Sequence, residues 1–288
     1  MAIFKSIANC IKFINNYFKT FLLLIILILF FSFNSSKGAA NLAQIELKGT
    51  ILDSMKLVEQ INEVKDDDNI KGVLFFIDSP GGAFAPSMEI SLAIKELGDK
   101  KPVIVYAGST LASGSYLSAI YANKIIANPA SFVGSIGVIM QGFNVSSLAQ
   151  KIGISEQTIS AGAYKQAGTM LREWSIDEKE YLQDLINQSY DLFTSLVAKA
   201  RKLDLDKKED WANAKVFLAD KAMQLGLIDE VANISKAKKE LEELTQISKP
   251  VYKTFDDDMG FISSLSKNSA LFLNKLMLDF ITLNSSAK

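Results

Sequence analysis

The chain contains no histidine. That excludes a histidine general base, a Ser-His-Asp triad and imidazole ligation of a metal. A single cysteine, Cys10, lies near the N-terminus. The chain therefore has no intrachain disulfide, no cysteine zinc cluster and no thiol nucleophile beyond that first segment. Neither sign of charge is in excess: 31 Lys+Arg stand against 32 Asp+Glu with a pI near 5.7, a balance that argues against a nucleic-acid partner. The Walker-type phosphate-loop pattern is missing, and there is neither an internal repeat nor a low-complexity segment. Catalysis by these 288 residues must therefore use Ser, Thr, Lys, Tyr, Asp, Glu or Arg, and no metal or organic cofactor is expected.

What the chain does have begins with an asymmetry. Residues 1–40 carry Lys5, Lys12, Lys19 and Lys37 and no acid, whereas the remainder carries 27 basic and 32 acidic residues. Residues 21–31 form an unbroken apolar run. At ~1.5 Å per residue this run and its extension to residue 33 reach only ~16–21 Å, short of a ~30 Å hydrocarbon core. The amphipathic stretch before it, with Ile11, Phe13, Ile14, Tyr17 and Phe18, is placed to lengthen the helix while Lys19 snorkels. Two readings follow. One is an uncleaved anchor with its basic end in the cytoplasm; the other is a signal peptide cut near the small residues Gly38-Ala39-Ala40. The anchor is preferred, and either carries the rest of the chain out of the cytoplasm.

Beyond residue 40, strands and helices alternate. Ile45, Leu47 and Ile51 mark a first strand and turn, and Leu57, Val58, Ile61 and Val64 a helix. Residues 71–77, KGVLFFI, read as a strand buried on both faces, as in a parallel sheet. Residues 87–97 read as a helix, 103–106 as a strand, 111–122 as a helix and 124–127 as a short strand. A long amphipathic helix over 177–203 follows, then helices over 219–225 and 235–244 flanking a strand at 227–231. The alternation implies an α/β core of right-handed crossover units. The expected division is a membrane segment at 1–40, a catalytic domain at 41–250 and an amphipathic tail at 251–288, with Leu271, Phe272, Leu276, Phe280 and Leu283 at helical spacing.

Three segments are candidates for chemistry. Asp78-Ser79-Pro80-Gly81-Gly82 follows a buried strand, where two glycines permit a sharp turn and free backbone N–H groups; a purely structural turn is the even alternative. Residues 107–116 join the next strand to a helix. Ser109 or Thr110 would cap that helix, leaving Ser113 in its first turn with Gly114 open to close approach. Gly162-Ala163-Tyr164-Lys165 offers a lysine, and a desolvated lysine can act as the base that a serine needs here; read alone, Lys165 is an ordinary surface residue.

Taken in order, IDSPGG, ASGSYLSAIYANKIIANPASFVGSIGV, SAGAYKQAG and ADKAMQLGLIDEV resemble the signal peptide peptidase A family, the S49 Ser-Lys serine proteases, in its half-length form, over about residues 42–232. The resemblance implies a ClpP/crotonase-like fold of repeated ββα units. It implies Ser113 as nucleophile, Lys165 as general base, Ser135 as the serine that orients the lysine, and the amides of Gly82 and Gly114 as the oxyanion hole. It implies peptide substrates, cleaved signal peptides among them, and a homo-oligomer whose serine and lysine come from neighbouring subunits. With the basic N-terminus, it implies residence at the bacterial inner membrane with the catalytic part on the outer, periplasmic face. Two positions depart from the family pattern: Asp78 replaces an asparagine, and Ser115 replaces the second glycine of ASGGY. A carboxylate at 78 would oppose an oxyanion unless paired, and a side chain at 115 is expected to narrow the groove. The alternatives are an inactive membrane-anchored binding or scaffold protein and a crotonase-type acyl-CoA enzyme.

Overall fold

The structure, a computed structural model, describes residues 17, 18, 20, 22–24 and 39–255. Of the apolar run at 21–31 only residues 22–24 are among these, and Cys10 and the apolar tail at 261–283 lie outside them. Among the described residues no helix is long and apolar enough to cross a membrane.

The elements follow the expected alternation: β1 (Leu42–Lys48), α1 (Met55–Asp66), β2 (Val73–Ser79), α2 (Phe84–Gly98), β3 (Val103–Ala112), α3 (Gly114–Ala119), β4 (Lys124–Ala127) and β5 (Phe132–Gly134). A short helix α4 (Ser146–Lys151) precedes the long α5 (Ile176–Arg201). Then come α6 (Lys208–Trp211), β6 (Val216–Leu218), α7 (Ala219–Gln224), β7 (Glu230–Val231), α8 (Ile234–Thr245) and β8 (Tyr252–Thr254). The sheet runs β6-β5-β3-β2-β1-β8, with β4 also beside β3 and β7 beside β4. Every pairing is parallel except β5 with β6. The α/β class expected from the alternation is the one adopted.

The apolar run in β2 is continuous because both faces of the sheet are covered. Val73, Phe75 and Ile77 enter the larger core with Ile61 and Val64 of α1 and Ile90 and Ile94 of α2. Leu74 faces the other way, with Ile104 and Tyr106 of β3, against Ala237 and Leu241 of α8. Each such aliphatic side chain contributes ~1.5–3 kcal/mol by leaving water. At the C-terminal end of α1, Lys101 Nζ donates to the carbonyl oxygens of Val64 and Asp67, both at 2.6 Å, so a cation satisfies acceptors that the last turn leaves open. Burial lowers the pKa of Lys101, and Asp67 and Asp68 oppose that shift.

Boundaries differ from the sequence reading in several places, and the strand read at 227–231 shrinks to Glu230–Val231. The helix expected at 111–122 is split: β3 extends through Ala112, and α3 begins only at Gly114. Residues 252–254, read as the start of the tail, form a strand paired with Leu42–Gln44 of β1. Asn41 ties this edge together, since its Nδ2 donates to Lys249 O at 3.0 Å and its Oδ1 accepts from Val251 N at 2.9 Å.

Strand β3 is long because it changes neighbours. Ile104–Ala107 pair with β4, and Thr110–Ala112 pair with β5. Between these segments its register against β2 jumps from Ile77↔Ala107 to Ser79↔Leu111, leaving residues 108–110 opposite Asp78. The Asp78 carboxylate fills the gap by accepting from Thr110 N at 3.1 Å. This bulge carries the end of β3 past β4 and delivers Ser113 beside β5.

Candidate active site

Ser113 occupies the junction of β3 and α3 with φ +53° and ψ −123°. Few residues with a Cβ adopt this conformation. The backbone is held on both sides: Ser113 N donates to Gly134 O at 2.8 Å, and its carbonyl accepts from Leu117 N at 3.0 Å. Ser109 and Thr110, the expected caps, are strand residues instead. Ser113 stands at the cap position but makes no side-chain cap bond, so its hydroxyl is left for other work.

The Asp78–Gly82 turn runs alongside. Ile51 grips it from outside: Ile51 N donates to Gly81 O at 2.9 Å, and Ile51 O accepts from Ala83 N at 2.8 Å. Between these bonds the N–H of Gly82 has no acceptor among the described residues, and neither has that of Gly114, the first residue of α3. The two amides are close, since a Cβ built on Gly114 would stand 3.3 Å from Gly82 N and 2.2 Å from Ser87 Oγ. On Gly82 a Cβ would meet Ile51 O at 2.1 Å. Glycine is needed at both positions for the chains to approach this closely. A serine hydroxyl beside two unengaged backbone donors is the arrangement that receives a tetrahedral oxyanion.

Ser135 comes to the same place through its backbone. It follows Gly134, whose carbonyl binds Ser113 N, and it has φ +50° with its own N–H donated to Lys215 O at 2.7 Å. Tyr116, the phenol nearest to Ser113 in sequence, is not a candidate base. It is fully buried and donates to Leu227 O at 2.7 Å, and burial pushes its pKa upward.

Lys165 is placed differently. It lies on an exposed turn closed by Lys165 N to Gly162 O at 3.2 Å, and its Nζ has no hydrogen bond or ion pair among the described residues. The structure thus gathers Gly82, Ser113, Gly114 and Ser135 and does not join Lys165 to them by any hydrogen bond. The turn belongs to an arm, residues 137–174, with exposed apolar side chains that include Ile139, Phe143, Ile152 and Ile159, the last fully open to solvent. Its return to the body is well fastened. The Tyr164 ring packs on Tyr181 of α5 at 4.8 Å between centroids, and within the arm Trp174 Nε1 donates to Thr169 O at 2.7 Å. The Arg172 guanidinium binds Glu178 through two bonds of 2.8 and 2.6 Å. That guanidinium, together with the Ser175 amide, lowers the Glu178 pKa to about 2.

Of the two departures, Asp78 meets the condition set for it, whereas the expectation for Ser115 is corrected. The Asp78 carboxylate is engaged by Thr110 N at the bulge. Ser115 does not narrow a groove: it is fully buried and its hydroxyl is bound to Ala112 and Ser79. The sequence marks Ile51 only as part of a first strand and turn, and Ser79 only as a member of the Gly-rich segment; neither is given a part in shaping the site there.

Comparison with known proteins adds kinship to this geometry. The profile of peptidase family S49 matches residues 95–248. A provisionally named protease of Methanocaldococcus jannaschii is 38% identical over 69% of this chain, and this chain covers 64% of its length. A second, from Synechocystis, is 35% identical over 69% of this chain and 72% of its own. The chloroplastic serine protease SPPA of Arabidopsis thaliana is 35% identical over 66% of this chain, a match spanning only 28% of the plant protein. Among solved structures, a mutant of the 1510-N membrane-bound stomatin-specific protease aligns at a TM-score of 0.48 and 18% identity, over 77% of this chain and all of that one. A ClpP1 mutant from Listeria monocytogenes aligns at 0.48 and 16%, over 68% of this chain and 94% of that one.

Proposed function

This chain belongs to peptidase family S49 and is a homologue of serine proteases, and we propose that it is itself a serine endopeptidase working through a Ser-Lys dyad. The observation that carries this reading is the strained Ser113 set beside the two unengaged amides of Gly82 and Gly114.

In the proposed reaction the Ser113 hydroxyl attacks a peptide carbonyl while the free amine of Lys165 takes its proton. Gly82 and Gly114 donate to the oxyanion. Lys165 then passes the proton to the leaving amine as the C–N bond breaks, which leaves an acyl ester on Ser113. Water resolves the ester with the same lysine as base. Ser135 is assigned to orient the lysine.

Because the Lys165 turn is exposed and makes no bond to Ser113, the reading includes a homo-oligomer in which the lysine of one subunit serves the serine of the next. The exposed apolar side chains of the arm support this assignment. The proposed substrates are cleaved signal peptides and other hydrophobic peptides. The proposed setting is the outer face of the bacterial inner membrane, from the apolar run and its one-sided lysines.

The test is peptide hydrolysis by the full chain beside Ser113→Ala and Lys165→Ala. Each variant alone is expected to be inactive. Mixing the two with subunit exchange is expected to restore part of the activity, because some interfaces then pair an intact serine with an intact lysine. Hydrolysis undiminished in Ser113→Ala would sink the peptidase reading, and no recovery despite demonstrated exchange would sink the shared site.

A further inference from the structure

Strands β2 and β3 part company just before the site. Their last paired residues are Ser79 and Leu111. Beyond that rung one chain becomes the turn that carries Gly82, and the other becomes the Ser113 junction and Gly114. Two amides that must meet one oxygen are thus borne on separate pieces of backbone. Ser115 bridges the fork. Its side chain is fully buried, its Oγ accepts from Ala112 N at 2.8 Å, and its hydroxyl donates to Ser79 O at 2.7 Å, with Ala112 O at 2.9 Å as an alternative acceptor. Ser79, also fully buried, continues the link by accepting from Gly81 N at 3.1 Å. A run of hydrogen bonds therefore joins the residue before Ser113 to the residue before Gly82.

We propose that Ser115 is a positioning residue: its buried hydroxyl fastens the backbone bearing Ser113 and Gly114 to the turn bearing Gly82, and so sets the spacing of the two amide donors. The inference rests on the peptidase reading above. It goes beyond the family pattern, in which this position is a glycine without a hydroxyl. Its physical basis is that an oxyanion hole acts only when its donors are already in place; displacement by ~1 Å costs on the order of 10²-fold in rate. Removing the hydroxyl also leaves Ala112 N without its acceptor in a dry site.

Ser91 supplies the control. It too is fully buried, and its hydroxyl donates to Leu117 O at 2.8 Å, tying α2 to α3 away from the donors. Ser91→Ala loses a bond of the same kind without touching the fork.

The experiment compares Ser115→Ala and Ser91→Ala in the full chain by thermal melting, by kcat and KM on one peptide, and by inhibition with a peptide aldehyde, which forms an oxyanion on the nucleophile. Both variants are expected to melt earlier by similar amounts. Only Ser115→Ala is expected to lose kcat, by about 10- to 100-fold with KM within about twofold, and to lose aldehyde affinity by a similar factor. If Ser115→Ala does not fold, Ser115→Gly, the residue of the family pattern, also removes the hydroxyl and carries the same expectation. Unchanged kcat and aldehyde affinity in a folded Ser115→Ala chain, or in Ser115→Gly where that serves instead, or an equal loss in Ser91→Ala, would overturn the positioning role while leaving the peptidase reading intact. A wild-type chain whose hydrolysis matches that of Ser113→Ala would overturn both.

Discussion

The fork at Ser113 and the arm that carries Lys165 are built on opposite principles. At the fork, buried side chains and short backbone bonds hold each atom: Gly134 O fixes the Ser113 amide, Ile51 fixes the turn, and Ser115 spans the gap. The arm from 137 to 174 is tied to α5 through Tyr164 and Arg172 and presents Ile139, Phe143, Ile152, Ile159 and Lys165 to solvent. The difference shows which half of the proposed chemistry needs prior placement. Oxyanion donors must be fixed before the substrate arrives, because reorganisation at the moment of reaction cancels their effect. A base on a long, flexible side chain can be positioned by whatever the arm docks against.

The contrast can be broken first at its two centres. Ser113→Ala and Lys165→Ala are each expected to lower kcat/KM by at least about 10³-fold, and the double variant to lose little more, since the groups act as a unit. A double variant much worse than either, measured on the same peptide, would mean that the two residues act separately.

Stability provides the next and smaller contrast. Phe75 is fully buried in the body, so Phe75→Ala is expected to cost about 3–5 kcal/mol in denaturant unfolding. Ile159→Ala, on the open arm, is expected to change stability by less than about 0.5 kcal/mol when subunits are dissociated. It should nevertheless weaken the proposed assembly, as read by light scattering on dilution. An Ile159 variant that assembles as tightly as wild type would place the contact elsewhere.

A subtler test uses acid on the arm's fastening. Glu178 has its pKa lowered from 4.5 to about 2 by Arg172 and the Ser175 amide. A carboxylate whose folded pKa lies below its unfolded value adds stability that is complete above pH 4.5 and is lost as pH falls through about 2. Hydrogen exchange in residues 169–182 is therefore expected to rise over that window before the strands respond. Arg172→Gln should move the onset to higher pH. Identical onset in the variant and the wild type would show that another group controls the arm.

The smallest expected effect is at the exposed pair of Lys239 and Glu243 on α8, 3.7 Å apart. Lys239→Ala should shift stability by less than about 1 kcal/mol and activity not at all.

How much of this was legible in the sequence varies with the kind of force involved. KGVLFFI declared itself as a doubly covered strand because burial on both faces leaves no place for polar side chains. The Pro80-Gly81-Gly82 turn was legible because few other residues allow it. The break at Ser113 was not, since residues 107–116 satisfy a helix-start pattern and long-range pairing with β5 and β2 draws the chain out to Ala112. Strand β8 was missed for a similar reason: three residues of mixed polarity become a strand only because the β1 edge and Asn41 lie beside them. Ser115 was misjudged because composition does not say whether a side chain in the first turn of a helix points to a groove or to the core. For Lys165 the motif supplied a role that local physics alone did not.

Ser113 also bears on the heat resistance of the molecule. Its backbone, with φ +53°, is one in which glycine rests easily and a residue with a Cβ costs about 1–3 kcal/mol. Ser113→Ala keeps that burden, whereas Ser113→Gly sheds it, less about 0.5–1 kcal/mol for the greater freedom of glycine in the unfolded chain. On the peptidase reading, the substitution that relieves the strain is also the one that abolishes catalysis. Selection for thermal endurance alone would then favour glycine at 113 at the expense of the proposed nucleophile.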